Sequence, residues 1–281
     1  MIIIKTIKEI KDIISNNKKQ GKTVGFVPTM GFLHEGHLSL IRTAKKENDL
    51  VVVSIFVNPT QFGVGEDFES YPRDLDSDAR LSESEGADII FCPSISEMYP
   101  ESYQTYVEVI EITNKLCGKS RPTHFKGVTT VVNKLFNIVE PHKAYFGQKD
   151  AQQVAVIQKM VKDLNMNIEV IPCPIIREAD GLAMSSRNIY LNPEQRNTAL
   201  ILSKSLFTAK DMINKGCLDA VEIKETIIKM LNNEPLAAID YIEIVDALSL
   251  SDITTLKGKV LIALAVKIGR TRLIDNIMLA V

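Results

Sequence analysis

Two apolar periods alternate along the first part of the chain, and together they predict most of its elements. Runs with almost no polar position, such as Leu50-Val51-Val52-Val53-Ser54-Ile55-Phe56-Val57, suit strands buried on both faces. Between such runs stand stretches spaced as amphipathic helices, with Leu38, Leu40, Ile41 and Ala44 on one side and Arg42, Lys45, Lys46 and Glu47 on the other. Thr23 to Val27 reads as a short strand stopped by Pro28. The opening MIIIKTIKEIKDIISNNKKQGK reads as a strand followed by an amphipathic helix. Further on come a helix over 77–85, a strand over 87–94, a helix over 127–141 with a proline stop, and a strand from Lys143 running into a loop at Asp150. An amphipathic helix over 151–165 and a strand over 167–176 complete the series.

This alternation predicts an α/β domain over residues 1–176: a Rossmann-like, doubly wound parallel sheet with right-handed crossovers. After Asn188 the texture changes. One long helix is predicted from Asn192 to Ile213 and a second from Ala220 to Asn233. Ile239 to Asp246 then alternates as a half-exposed strand, and two more strands follow around a glycine turn. That order predicts a smaller α+β C-terminal domain over residues 177–281.

Composition narrows the partners. The net charge of −2 over 281 residues lacks the basic excess of a nucleic-acid-binding surface. No apolar run reaches the length of a membrane span, and the first residues lack the apolar core of a secretory signal. Cys92, Cys117, Cys173 and Cys217 are widely spaced, as free thiols in a reducing compartment would be. The expectation is a cytoplasmic protein with no nucleic-acid or membrane partner.

Where the strand at 23–27 gives way to a helix stand two of the four histidines, in His34-Glu35-Gly36-His37. Ligands of open α/β folds bind at the carboxyl ends of strands. Residues three apart in a first helical turn share a face, with Cβ atoms roughly 5–6 Å apart. Unsatisfied backbone N–H groups there favour an anion. Gly31 and Gly36 allow backbone to approach a ligand closely. The pair suits a phosphate whose charge grows during reaction, although a capping pair without chemistry has the same spacing. No HExxH spacing or cysteine pair accompanies it, and no metal ligand can be named.

Other polar clusters join it. Asn58 and Gln61 leave the next strand among Phe56, Val57, Pro59 and Phe62, suited either to a small polar substrate or to an Asn-Pro turn. Arg121, His124 and Lys126 precede a helix, and Lys149 ends a strand before Asp150, an expected N-cap, and Gln153. Ser185, Ser186 and Arg187 lie in a polar loop at 177–188, matched to phosphate oxygens or else part of a flexible linker. Neither G-x-x-x-x-G-K-[ST] nor G-x-G-x-x-G is present, which leaves the phosphate role to the histidine-bearing helix.

In order and spacing, PTMGFLHEGH, FVNPTQF, YPRDLDSD, SRPTHFKGV, FGQKDAQQ and MSSRN resemble the pantoate–β-alanine ligase family over nearly the whole chain. The resemblance implies ATP-dependent condensation of (R)-pantoate with β-alanine through a pantoyl adenylate, releasing AMP and diphosphate. It places His34 to His37 as a HIGH-like motif and Met184 to Arg187 as a KMSKS-like loop, closing as a lid. It implies catalytic roles for His37 (as proton donor), His34, Lys149, Ser185, Ser186 and Arg187. These residues, together with Met30, Gly147, Gln148, Asp150, Ile176 and Met184, match ATP-site positions, while Gln61, Gln153, Asn58 and Arg121 match the pantoate and β-alanine side. Mg²⁺ with the ATP and a homodimer are further implications. Thr123, where the family pattern has glycine, and Cys117, where some members carry an acid, bear on the loop near Arg121. Two rivals are an adenylating enzyme of the same fold with another acceptor, and a nucleotide-binding module without turnover.

Overall fold

Val51, Val52 and Val53 are wholly buried, as a strand covered by helices on both faces must be. A computed structural model describes residues 1–281. In chain order its elements are β1 (Ile2–Ile4), α1 (Ile7–Lys19), β2 (Val24–Thr29), α2 (Glu35–Glu47), β3 (Leu50–Ile55), α3 (Leu75–Ser84), β4 (Ile89–Phe91) and α4 (Ile95–Met98). Then come α5 (Leu116–Ser120), α6 (His124–Val139), β5 (Lys143–Gly147), α7 (Ala151–Asp163), β6 (Glu169–Cys173), α8 (Pro193–Thr198), α9 (Leu200–Asn214) and α10 (Ala220–Asn232). Three strands finish the chain: β7 (Ala237–Asp246), β8 (Lys259–Ile268) and β9 (Thr271–Ala280). Two compact units result. The first holds Met1–Ile110, Arg121–Gln148 and Gln153–Pro174, and the second holds Glu111–Ser120, Lys149–Gln152 and Ile175–Val281.

The first unit is an all-parallel sheet in the order β1-β4-β3-β2-β5-β6. This is the Rossmann-like, doubly wound arrangement that the alternating pattern predicts. From β2 the chain lays β3 and β4 on one side and β5 and β6 on the other, so the carboxyl ends of β2 and β5 meet at the switch point. Such points are where open α/β sheets bind ligands. Helix α2, which follows β2, buries Leu38, Leu40, Ile41 and Ala44 in a core shared with Val27, Val51, Val53 and Tyr145.

Pro28 does not end β2, contrary to the expectation from sequence; it pairs with Ser54 inside the strand. Alternate residues of a strand turn their N–H and C=O toward the same neighbour. The Val24 carbonyl accepts from His142 on the β5 side, so Pro28 also faces β5, past the last pair there, Phe26 with Ala144. Its missing N–H therefore breaks no ladder bond.

The second unit has α+β order. Leu202, Leu206, Ile223, Ile227 and Leu231 from α9 and α10 pack with Ile242, Ile262, Leu264 and Val266 of the antiparallel β7-β8-β9 sheet. The single helix expected over 192–213 is two. A capping box of Asn192 and Gln195 starts α8, and at Ala199 the ladder tightens to one i→i−3 bond, from the Leu202 N–H to the Ala199 carbonyl.

Within the first unit, α6 rests on the short 3-10 turn Pro59–Gln61 through Gly127. A Cβ at Gly127 would stand 2.3 Å from the Thr60 carbonyl oxygen and 2.6 Å from Gln61 Cα, so backbone would have to move from backbone. Gly127→Ala should therefore cost about 1–3 kcal/mol. The check is the midpoint of urea unfolding, with the slope unchanged; a wild-type midpoint would contradict this seating of the helix.

Candidate active site

His34 is the N-cap of α2 and His37 its third residue, so the two bracket the first turn. His34 Nδ1 accepts the Gly36 N–H at 3.1 Å, and His37 Nδ1 accepts the His34 N–H at 3.3 Å. This is a capping box made by two imidazoles. Backbone N–H groups can only donate, so each Nδ1 must present a lone pair, and each neutral ring carries its proton on Nε2. The rings lie 4.2 Å apart between centroids, tilted by 40°. The cap thus does structural work with one nitrogen of each ring and defines the other as a donor. It does so at a helix N-terminus, where a negative charge is favoured.

The turn before the cap is held from outside. Gly31 and Phe32 both have left-handed φ, of 87° and 52°. The Asp78 carboxylate on α3, only 2 % exposed, accepts the Phe32 N–H at 2.8 Å and the Leu33 N–H at 2.7 Å. Burial pushes the Asp78 carboxyl above the usual range, and the two backbone hydrogen bonds oppose that rise without cancelling it.

Asn58 and Gln61 form a second cluster of the same unit, beyond the carboxyl end of β3. Asn58 is 1 % exposed and fully engaged. Its Oδ1 accepts from the Tyr99 hydroxyl at 2.9 Å and the Thr60 hydroxyl at 3.0 Å, and its Nδ2 donates to the Gly127 carbonyl and to Gln61 Oε1. Asn58 therefore closes its own turn and orients the Gln61 amide, whose Nε2 points to Met30 Sδ at 3.1 Å. The Gln61 backbone carbonyl is gripped by Arg121 Nη2 at 3.2 Å and by His124 Nδ1 at 2.9 Å. The Arg121 guanidinium also forms a two-point ion pair with Glu66. Burial pushes the Glu66 carboxyl up, but the hydrogen bonds and charge of Arg121 outweigh it, and the group sits below the usual range. Lys126 lies toward Glu108 and the Tyr106 ring instead. Thr123 has φ −92° and ψ −11°, a conformation that needs no glycine. Met30 and Gly147 directly follow and end the two switch-point strands, β2 and β5; Gln148 comes next, and Gln153 lies in α7.

Lys149 and Asp150 belong to the second unit, with Ile176 and Met184–Arg187. Lys149 sits in a 3-10 turn, Gln148–Asp150, and its carbonyl accepts from Asn276 Nδ2 of β9 at 2.8 Å. The same turn includes Asp150, the residue expected to cap α7. The 177–188 segment is a hydrogen-bonded hairpin, unlike the flexible linker that its polar composition also allowed. The Met184 N–H meets the Ile176 carbonyl at 3.0 Å, and Arg177 pairs two-pronged with the buried Asp275 at 2.7 and 2.9 Å. Arg196 bridges Glu178 and Asp180. Ser185 caps a 3-10 turn, Ser186–Tyr190, by accepting from the Arg187 N–H, and Ser186 is buried. Cys117 of this unit faces the Tyr241 hydroxyl at 3.1 Å.

A doubly wound sheet whose switch point carries an imidazole-capped helix N-terminus defines a Rossmann-like α/β protein equipped to hold an anion. The family model described as pantoate–β-alanine ligase matches residues 2–278. The pantothenate synthetase of Acetivibrio thermocellus is 61% identical over 281 residues, covering 100% of both chains. A crystal structure of pantothenate synthetase from Thermus thermophilus superposes with a TM-score of 0.94 at 42% identity, over 99% of each chain. That of pantoate–β-alanine ligase from Francisella tularensis, complexed with β-γ ATP and β-alanine, has a TM-score of 0.81 at 40% identity, over 99% of this chain and 97% of that one. The chain belongs to the pantoate–β-alanine ligase family and is an ATP-dependent ligase.

Asp78, Glu66 and Tyr99 carry no mark in the sequence that singles them out. The buried face of α3 is Asp78 and Ser82, two polar residues where a hydrophobic stripe is the usual signal. The Glu66 pair makes one expectation. A carboxyl depressed in the folded state contributes stability above its unfolded value that is lost as pH falls through the folded one. Arg121→Ala should lower stability at neutral pH and flatten that acid-side decline. Urea midpoints from neutral pH down through the carboxylate range check it; parallel curves for the two proteins would contradict the pairing.

Proposed function

We propose that the chain condenses (R)-pantoate with β-alanine through a pantoyl adenylate. A pantoate carboxylate oxygen attacks the α-phosphorus of ATP and diphosphate leaves. The β-alanine amine then attacks the acyl carbon, and AMP leaves with the bridging oxygen. The observation that supports this is the imidazole-capped N-terminus of α2, which follows β2 at the switch point, where open α/β sheets bind ligands. His34 and His37 hydrogen-bond the phosphate oxygens as their charge grows, and His37 is the donor nearest the reacting phosphorus. Lys149, Ser185, Ser186 and Arg187 supply further positive charge and hydroxyl donors to the phosphates. Met30, Gly147, Gln148, Asp150, Ile176 and Met184 line the nucleotide.

Gln61 and Gln153 take the pantoate hydroxyls and carboxylate. Arg121 is held by Glu66, so the groups offered to the acid here are amides, not an unpaired guanidinium. That choice suits the chemistry: a carboxylate locked in an ion pair would be a poorer nucleophile. Asn58 serves by orienting the Gln61 amide, and Arg121 by holding the Gln61 carbonyl. The Met184–Arg187 loop closes on ATP and keeps water from the acyl adenylate.

Magnesium enters on the nucleotide. No three His, Cys, Asp or Glu side chains gather as a metal cage, and an ion held mostly by phosphate and water would need none. So bound, the ion would screen the phosphate charge, beside the Lys149 and Arg187 side chains. The enzyme works in the cytoplasm as a homodimer, as its family resemblance implies; no helix is long and apolar enough to cross a membrane.

Pantoate labelled with ¹⁸O in its carboxylate tests the intermediate. The adenylate route delivers one labelled oxygen to AMP; label in orthophosphate instead would replace it with an acyl phosphate. His37→Ala and Lys149→Ala should each lose about 10²–10³ in kcat while remaining folded. Near-normal turnover in either variant removes that residue from the phosphate site. Arg187→Ala should weaken ATP binding and release pantoate and AMP without amide formation; the absence of both effects would rule out the lid.

A further inference from the structure

Asp78 stands outside every catalytic role assigned above. Its carboxylate grips two successive backbone N–H groups, those of Phe32 and Leu33, one on each oxygen. The turn it grips runs through Gly31 and Phe32, both left-handed, a conformation costly for a side chain like phenylalanine. A turn of that shape needs support from outside, and two charge-assisted hydrogen bonds supply it. The fit leaves no slack. A Cβ at Gly31 would stand 2.9 Å from Asp78 Oδ2 and 3.0 Å from Ile55 Cγ2. One residue beyond Leu33 the chain is extended at His34, φ −136° and ψ 175°, and the imidazole cap begins.

We propose that Asp78 is a positioning residue for the His34–His37 pair. It touches no substrate. By fixing the turn that delivers His34 to the N-cap, it sets the direction of both Nε2–H donors. The inference rests on the assignment of those histidines to phosphate. It goes further in naming a buried carboxylate, one helix away in the chain, as the group that holds their aim.

The test is Asp78→Asn, which keeps the shape but opposes an amide N–H to one of the backbone donors. Three readouts are taken below the melting temperature: circular dichroism for the fold, steady-state kinetics, and long-range ¹H–¹⁵N spectra of the four histidine rings. Asp78→Asn is expected to stay folded and to replace the Nε2–H signature of His34 and His37 with a mixture of tautomers. Its kcat should fall about 10²-fold, with kcat/KM falling in parallel and KM little changed. A folded variant with wild-type kcat overturns the proposal, and so does an unchanged ring signature beside a lowered melting temperature, which would make Asp78 structural only. Should Asp78→Asn not fold, Gly31→Ala disturbs the same clamp from the turn's side and is judged by the same readouts. If the wild type itself turns over no pantoate, the ligase reading fails. The ring spectra, recorded without substrate, still decide whether Asp78 sets the pair.

Discussion

Each imidazole of the His34–His37 pair accepts a backbone N–H at its Nδ1, and that constraint organises the first unit. Because both Nδ1 atoms accept N–H groups at the start of α2, neither ring can turn over without uncapping the helix. Helix stability and the direction of two donors are thereby tied together. The tie extends outward: Asp78 holds the turn ahead of the cap, and the apolar face of α2 seats the helix on β2 and β3. The doubly wound topology brings this N-terminus to the point where the strand order reverses, next to the carboxyl end of β5.

Charge is handled differently around the two kinds of ligand. Several strongly charged side chains are already matched within the protein: Arg121 by Glu66, Arg177 by Asp275, and Arg196 by Glu178 and Asp180. These pairs brace loops. The Arg177 pair fixes the start of the hairpin that presents Met184 to Arg187, and Arg121 steadies the Gln61 carbonyl. Groups proposed to meet substrate are neutral imidazoles, amides and hydroxyls, joined by Lys149 and Arg187. Neutral donors aimed by rigid backbone lose little on reorganising, which is what stabilising a developing charge demands.

Much of this was legible in the sequence, for physical reasons. Strands buried on both faces announce themselves as unbroken apolar runs, as at 50–57, and the position of His34 and His37 follows from the strand and helix on either side. The motif blocks then identify the family. What escaped notice depends on burial of polar atoms. Asp78 looks like one more acid beside Asp74 and Asp76, and only the fold reveals that it alone of the three is buried. Pro28 has the signature of a strand stop because its missing N–H costs nothing only where the pairing with the neighbouring strand has already ceased. The histidine spacing fits two residues of one turn as well as a cap and its partner. An N-cap and the third helical residue have the same separation in sequence, and only hydrogen bonds distinguish them. The break at Ala199 is a single tightened turn that apolar spacing does not encode.

The most direct measurement is ATP–diphosphate exchange with Mg²⁺ and pantoate, without β-alanine, in the wild type and in His34→Asn. Asparagine is itself a strong N-cap, so the substitution removes the imidazole while leaving α2 capped. The account predicts pantoate-dependent exchange in the wild type, and a loss of about 10²-fold or more in His34→Asn with thermal stability nearly unchanged. Full exchange in His34→Asn would mean that the histidine cap is only a cap.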